Sequence, residues 1–228
     1  MRTAALAGIR AVVFDLDGTL MDSMPLVLKA FAHALAPYLP ELDEAAIFQR
    51  LGGPPRRMFL ELLGGDEARA DDAMVRLEEF GFANSRLEQP FEGMKALLGD
   101  LKERGLKLAV WTGRDRFTTE IIFKEHGLGG FFETVVCGDD LPSHKPSPEG
   151  LREILRRLGV QSDETIYLGD ADADVLGGNG AGVATLLIRH RRVVETAIDV
   201  RAWQVVDTPP QAYAVVRLAL GLANDFQR

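Results

Sequence analysis

A chain of 228 residues, 46% hydrophobic and 26% charged, has the composition of an ordinary globular protein and room for one large domain or a core with a smaller insert. Its net charge of −8 argues against nucleic acid as the main partner, because that binding draws on clustered lysine and arginine. No stretch reaches the ~18 apolar residues of a membrane span, and the single cysteine, Cys137, rules out an internal disulfide.

The N-terminal segment has Arg2 ahead of small apolar residues, as an export signal would. Arg10, Asp15 and Asp17 break the run before an adequate apolar centre forms, so a cytoplasmic protein is expected. Residues 9–14 read as a buried strand that delivers Asp15, then Asp17, then a turn at Gly18. Side chains two apart on a strand point the same way, so both carboxylates can face one cavity. Adjacent carboxylates repel, and the pair calls for a cation or a shared proton.

Residues 23–89 show no strand pattern. Candidate helices at 25–35, 44–51, 56–63 and 67–83 are punctuated by Pro37, Pro40, the Gly52-Gly53-Pro54-Pro55 run and Gly64-Gly65. So long a helical stretch cannot be a single crossover. It is expected to form a small helical domain over 23–89, set into a core made of 1–22 and 90–228.

Beyond residue 90, helix and strand alternate. A helix over 93–104 places Met94, Leu97, Leu98 and Leu101 on one face and stops at Gly105. Strands are expected at 106–111, 134–137, 165–168, 183–188 and 203–206. They are rich in Val, Ile and Leu without strict alternation, as buried parallel strands are. Helices at 116–126 and 149–158 end at Gly127 and Gly159, the second starting with Ser147 as N-cap and Pro148 at its first position. The pattern implies a doubly wound α/β sheet, in which ligands bind beyond the carboxyl ends of the strands. An insert leaving from that edge would hang over it as a lid, hinged at 20–23 and 89–93.

Cys137 ends an apolar run and reads as a core thiol. His33, His126 and Trp111 read as structural, His144 as a loop residue, and His190 has no evident role. Asp170, Asp172 and Asp174 have the rhythm of a calcium loop, but Val175 stands where the sharp turn needs glycine and no glutamate closes the loop. Asp172 is expected to be solvated or to cap the next helix.

DLDGTL at 15–20 resembles motif I of the haloacid dehalogenase-like superfamily, and three further motifs come after it in order. VWTG resembles motif II with Thr112 as its hydroxyl residue, HKPSPE motif III with Lys145, and YLGDADAD motif IV with Asp170 and Asp174. The helical insert resembles the C1 cap of the phosphoglycolate phosphatase-like branch. The resemblance covers nearly the whole chain and implies a Rossmann-like core with that cap. It departs at Ala171, where the family often has serine; the change is not expected to abolish metal binding.

On this resemblance Asp15 is the nucleophile, and Asp17 protonates the leaving oxygen and then activates water. Mg²⁺ is held by Asp15, the Asp17 backbone carbonyl, Asp170 and, directly or through water, Asp174. Thr112, the backbone N–H of Gly113 and Lys145 bind the phosphoryl oxygens. Arg56 and Arg57 in the cap, and Arg114 with Arg116 at the rim, are candidates for contact with substrate. The implied activity is a Mg²⁺-dependent phosphatase acting on a small phosphorylated metabolite, as a monomer or homodimer. A phosphomutase of the β-phosphoglucomutase type is the alternative, though LGGPPRRM does not look like that mutase's cap loop. A non-catalytic binding protein is a further one, disfavoured because every core residue is present. Haloacid dehalogenases lack the second motif I aspartate and phosphonoacetaldehyde hydrolases carry alanine there, so Asp17 points to phosphoryl transfer involving oxygen.

Overall fold

Four residues with no exposed surface, Ala11, Val12, Val13 and Phe14, form strand β1 (Ala11–Phe14). The computed structural model describes residues 8–50, 55–190 and 196–222. After β1 and a short β2 (Met21–Asp22) come α1 (Met24–Leu35), α2 (Glu44–Phe48), α3 (Pro55–Leu62) and α4 (Glu67–Ala83). The chain returns through β3 (Gln89–Pro90), which pairs with β2. Alternation then begins with α5 (Met94–Glu103), β4 (Lys107–Trp111), α6 (Arg116–His126), β5 (Thr134–Val136) and α7 (Glu149–Leu158). It continues with β6 (Thr165–Gly169), α8 (Asp172–Ala181), β7 (Ala184–Ile188), α9 (Thr196–Asp199), β8 (Gln204–Val206) and α10 (Pro209–Ala219). Contacts divide the chain into two compact units, Met1–Asp22 with Pro90–Arg228, and Ser23–Gln89.

The first unit carries a six-stranded parallel sheet in the order β5-β4-β1-β6-β7-β8. From β1 the chain winds outward through β4 to β5, then crosses back to lay β6 on the other side of β1. The direction of winding reverses there, and such a reversal opens a crevice at the strand ends. This is the Rossmann-like, doubly wound α/β sheet that the sequence pattern implies.

Alternation on β1 sends Val12 and Phe14 to one face, where they join Met94, Leu97, Leu98 and Leu101 of α5. Ala11 and Val13 face the other way, toward Leu151, Ile154 and Leu158 of α7. With both faces covered, each fully buried Leu, Ile or Phe contributes about 1.5–3 kcal/mol. The register sets Phe14 beside both Val110 and Leu168. The residues that come next along each of these strands therefore emerge at one edge of the sheet.

The second unit packs Phe31, Leu35, Ile47, Phe59, Ala70 and Ala73 into its own core, with the Phe31 and Phe59 rings 5.3 Å apart. Asp43 caps α2 through Ala46 N at 2.7 Å, and Asp66 caps α4 through Arg69 N at 3.1 Å. Helix α2 is shorter than expected, and Leu51, Gly52, Gly53 and Pro54 lie outside the described residues.

One expected cap is corrected, and of the two expectations for Asp172, solvated or capping the next helix, the second is displaced. Pro148 (φ −74°, ψ −3°) is the N-cap of α7, without a side-chain bond, and Ser147 donates its N–H to His144 O in the preceding turn. At α8 the carboxylate that takes the N-cap amide is Asp174, not Asp172, because it sits one turn into the helix and reaches back to Ala171 N at 2.9 Å. Among the described residues no helix is long and apolar enough to cross a membrane.

Candidate active site

The turn after β1 is built by its own backbone. Leu20 and Met21 both donate to Leu16 O at 2.9 Å, and Gly18 N donates to Met21 O at 2.8 Å. Gly18 has φ 71°, and a Cβ there would lie 2.3 Å from Asp170 Oδ2. The turn thus abuts the first residue after β6, which only glycine permits. Asp15 N donates to Leu168 O at 2.8 Å, tying the tip of β1 to that of β6.

Lys145 holds the centre. Its Nζ lies 2.6 Å from Asp15 Oδ1 and 2.7 Å from Asp174 Oδ1. The ammonium also stands 4.9 Å from the ring centre of Trp111 and 5.6 Å from that of Tyr167, whose hydroxyl donates to Asp174 Oδ1 at 2.6 Å. Burial alone would lower the Lys145 pKa, but the charges of Asp15 and Asp174 and its bonds to them raise it above an ordinary lysine, so it stays charged. Asp15 is pushed well above the usual carboxylate range, first by burial. Lys145 opposes the shift, and Asp174, Asp170 and Asp17 add to it.

Asp15, Asp170 and Asp174 offer carboxylate oxygens within 4.8 Å of one another. Three carboxylates around one ammonium leave an excess of negative charge in a buried place, and their hard oxygen donors suit a divalent cation such as Mg²⁺. The residues present therefore fit a metal. Asp174 is the most heavily engaged, since Oδ1 already accepts from Lys145 and Tyr167, and Oδ2 from Ala171 N.

The Asp17 side chain lies apart from this group, paired with both arms of the Arg114 guanidinium. Thr112 is buried, and its Oγ1 accepts from Arg114 N at 3.1 Å, which leaves its own proton to donate. Gly113 is exposed, and its carbonyl touches the backbone at Gly138, where a Cβ would come within 2.2 Å. Arg116 turns away to Asp140, at 3.0 Å through Nε, and to Val135 O at 3.0 Å. Within the helical unit Arg56 pairs with Glu67 and Asp71, and Arg57, 77% exposed, with Glu61.

Sequence reasoning missed three contributors. Trp111 is buried, yet its ring underlies Lys145, and Tyr167 sits inside a strand but reaches Asp174. His190, two residues beyond β7, donates Nε2–H to Gly18 O at 2.7 Å and stands 3.9 Å from Asp170 Oδ2. Its place past the tip of an expected strand, at the edge where the other motifs emerge, was the available signal.

A family model for haloacid dehalogenase-like hydrolases matches residues 12–188. Pyrophosphatase PpaX of Halalkalibacterium halodurans is 34% identical over 184 residues, 80% of this chain and 84% of that protein. Among solved structures, a predicted phosphoglycolate phosphatase from Haemophilus somnus matches with TM-score 0.79 and 21% identity, over 92% of this chain and 99% of its own. A candidate β-phosphoglucomutase from Thermotoga maritima matches with TM-score 0.79 and 23% identity, over 93% and 100%. At these identities the two structures show the shared fold.

Proposed function

This chain belongs to the haloacid dehalogenase-like hydrolase family, and on that premise we propose that it is a Mg²⁺-dependent phosphatase working through an aspartyl-phosphate on Asp15. The observation that carries the reading is the buried Asp15 carboxylate, 2.6 Å from Lys145 and grouped with Asp170 and Asp174 at the strand ends.

Asp15 attacks phosphorus, and the bond to the leaving oxygen breaks. Asp17 supplies the proton to that oxygen, then takes one from the water that hydrolyses the aspartyl-phosphate. Attack by a carboxylate on a phosphate dianion is opposed by about 4 kcal/mol per charge pair at 4 Å and an effective dielectric near 20. Lys145 offsets part of this, and the Thr112 hydroxyl with the Gly113 N–H can bind the equatorial oxygens. Asp15, Asp170, the Asp17 carbonyl and Asp174 would hold Mg²⁺, which when bound adds positive charge beside the phosphoryl oxygens.

The helical unit 23–89 takes the role of a C1-type cap; its insertion straight after the strand that delivers Asp15 supports this. Arg114 is the better-supported substrate contact, since the acid it pairs with is Asp17, the proposed general acid, whereas Arg56 and Arg57 pair with acids of the helical unit. The setting we take to be cytoplasmic, with the protein as a monomer or homodimer. Likeness to a candidate β-phosphoglucomutase comes with equal likeness to a phosphatase and does not favour transfer to a sugar hydroxyl.

The name of the PpaX relatives makes inorganic pyrophosphate the first substrate to test, beside small phosphate monoesters. Phosphate release is to be measured with Mg²⁺ over such a panel, with Asp15→Asn in parallel. Release that vanishes in the variant is expected; release that survives would show the nucleophile to be another residue.

A further inference from the structure

The turn that carries Asp17 is gripped from outside by side chains distant in sequence. His190 Nε2 donates to Gly18 O at 2.7 Å, and the buried Tyr213 hydroxyl of α10 donates to the next carbonyl, Thr19 O, at 2.6 Å. A carbonyl only accepts, so His190 carries its proton on Nε2. Its backbone is left-handed (φ 49°), the one non-glycine residue with positive φ among the described residues. Such a conformation is disfavoured for a residue with a Cβ and persists where surroundings impose it. The ring is braced on Phe91, 5.9 Å between centres.

A strained backbone that aims an imidazole at the catalytic turn needs a reason, and the tight packing of that turn supplies one. Gly18 leaves no space for a methyl group against Asp170. A shift of the turn therefore displaces either the Asp170 carboxylate or the Asp17 side chain. We propose that His190, seconded by Tyr213, is a positioning residue for the reaction: it fixes the Gly18 turn so that Asp17 and Asp170 keep their places relative to Asp15. The proposal rests on the reading of Asp17 as general acid and base. With Nε2 spent on a carbonyl, His190 acts through the turn and not on substrate.

The test compares wild type with His190→Phe, which keeps a ring against Phe91 and removes the donor, and His190→Gln, whose amide can donate from a similar reach. Two readouts are taken: steady-state kinetics with Mg²⁺, and amide hydrogen exchange at Gly18, Leu20 and Met21. For His190→Phe, kcat is expected to fall about 10- to 100-fold, the scale of a small misplacement of catalytic groups. KM should stay within about threefold, exchange at the three amides should quicken, and His190→Gln should restore most of both. Unchanged exchange overturns the proposal, as does faster exchange with kcat intact. If wild type releases no phosphate, the phosphatase reading falls, and exchange still decides whether His190 holds the turn.

Discussion

Arg114 closes both arms of its guanidinium on the Asp17 carboxylate, with Nε 3.1 Å from Oδ2 and Nη2 on Oδ1. A carboxylate oxygen that carries a proton cannot accept from arginine at the same site, so this pair has to yield one oxygen if Asp17 is to act in the proposed role of acid.

Arg114 is thus expected both to orient Asp17 and to pass to substrate oxygens during the cycle. Arg114→Lys keeps the charge and loses the two-armed geometry. It should lower kcat/KM about 10- to 160-fold, the equivalent of a charged hydrogen bond of about 1.5–3 kcal/mol. Wild-type kinetics in that variant would remove Arg114 from the site.

Tyr167→Phe deletes one donor from Asp174, a carboxylate only 1% exposed. A buried charged acceptor that loses a bond costs about 1.5–3 kcal/mol. Melting should fall by about 3–12 °C, at about 2–4 °C per kcal/mol for a chain of this size. Activity should drop with it, because Asp174 steadies Lys145. An unchanged melting temperature would show that the hydroxyl bond contributes little.

Removing divalent metal should leave the protein folded but less stable, since the excess negative charge around Asp15 then stands uncompensated. Mg²⁺ at about 100 times its Kd should restore about 2.7 kcal/mol of apparent stability. Asp170→Asn should abolish that gain. Identical melting of wild type in EDTA and in Mg²⁺ would argue that the acidic group holds no ion.

Burial pushes the Cys137 thiol above its ordinary pKa, against weaker opposition from Thr119 and Arg116. The thiolate is the reactive form, and its fraction rises with pH through the pKa. Alkylation of the native protein should be slow at pH 7 and still rising beyond about pH 8.5, the pKa of an ordinary free thiol. Rapid labelling at pH 7 would contradict a core thiol.

Much of the sheet was legible because parallel strands buried on both faces must be apolar throughout. Strands expected at 106–111 and 183–188 occur as Lys107–Trp111 and Ala184–Ile188. Helix ends at Gly127 and Gly159 were legible for a local reason, the left-handed conformation that both adopt. The cap of α7 was misread because Ser147-Pro148 has two local solutions, and the turn through His144 selects the one that leaves Ser147 out.

At the site, the resemblance of four short strings, in order, to the motifs of a known family named Asp15, Thr112, Lys145, Asp170 and Asp174 as candidates. Sequence could not say what those groups do to one another. That Lys145 lies between Asp15 and Asp174 over two aromatic rings, that Arg114 grips Asp17 rather than the rim, and that His190 reaches Gly18 were decided by tertiary structure. The reason is range: backbone preference and side-chain period act over a few residues, whereas a charge pair joins positions as far apart as 17 and 114 only once strand order and register have brought them together.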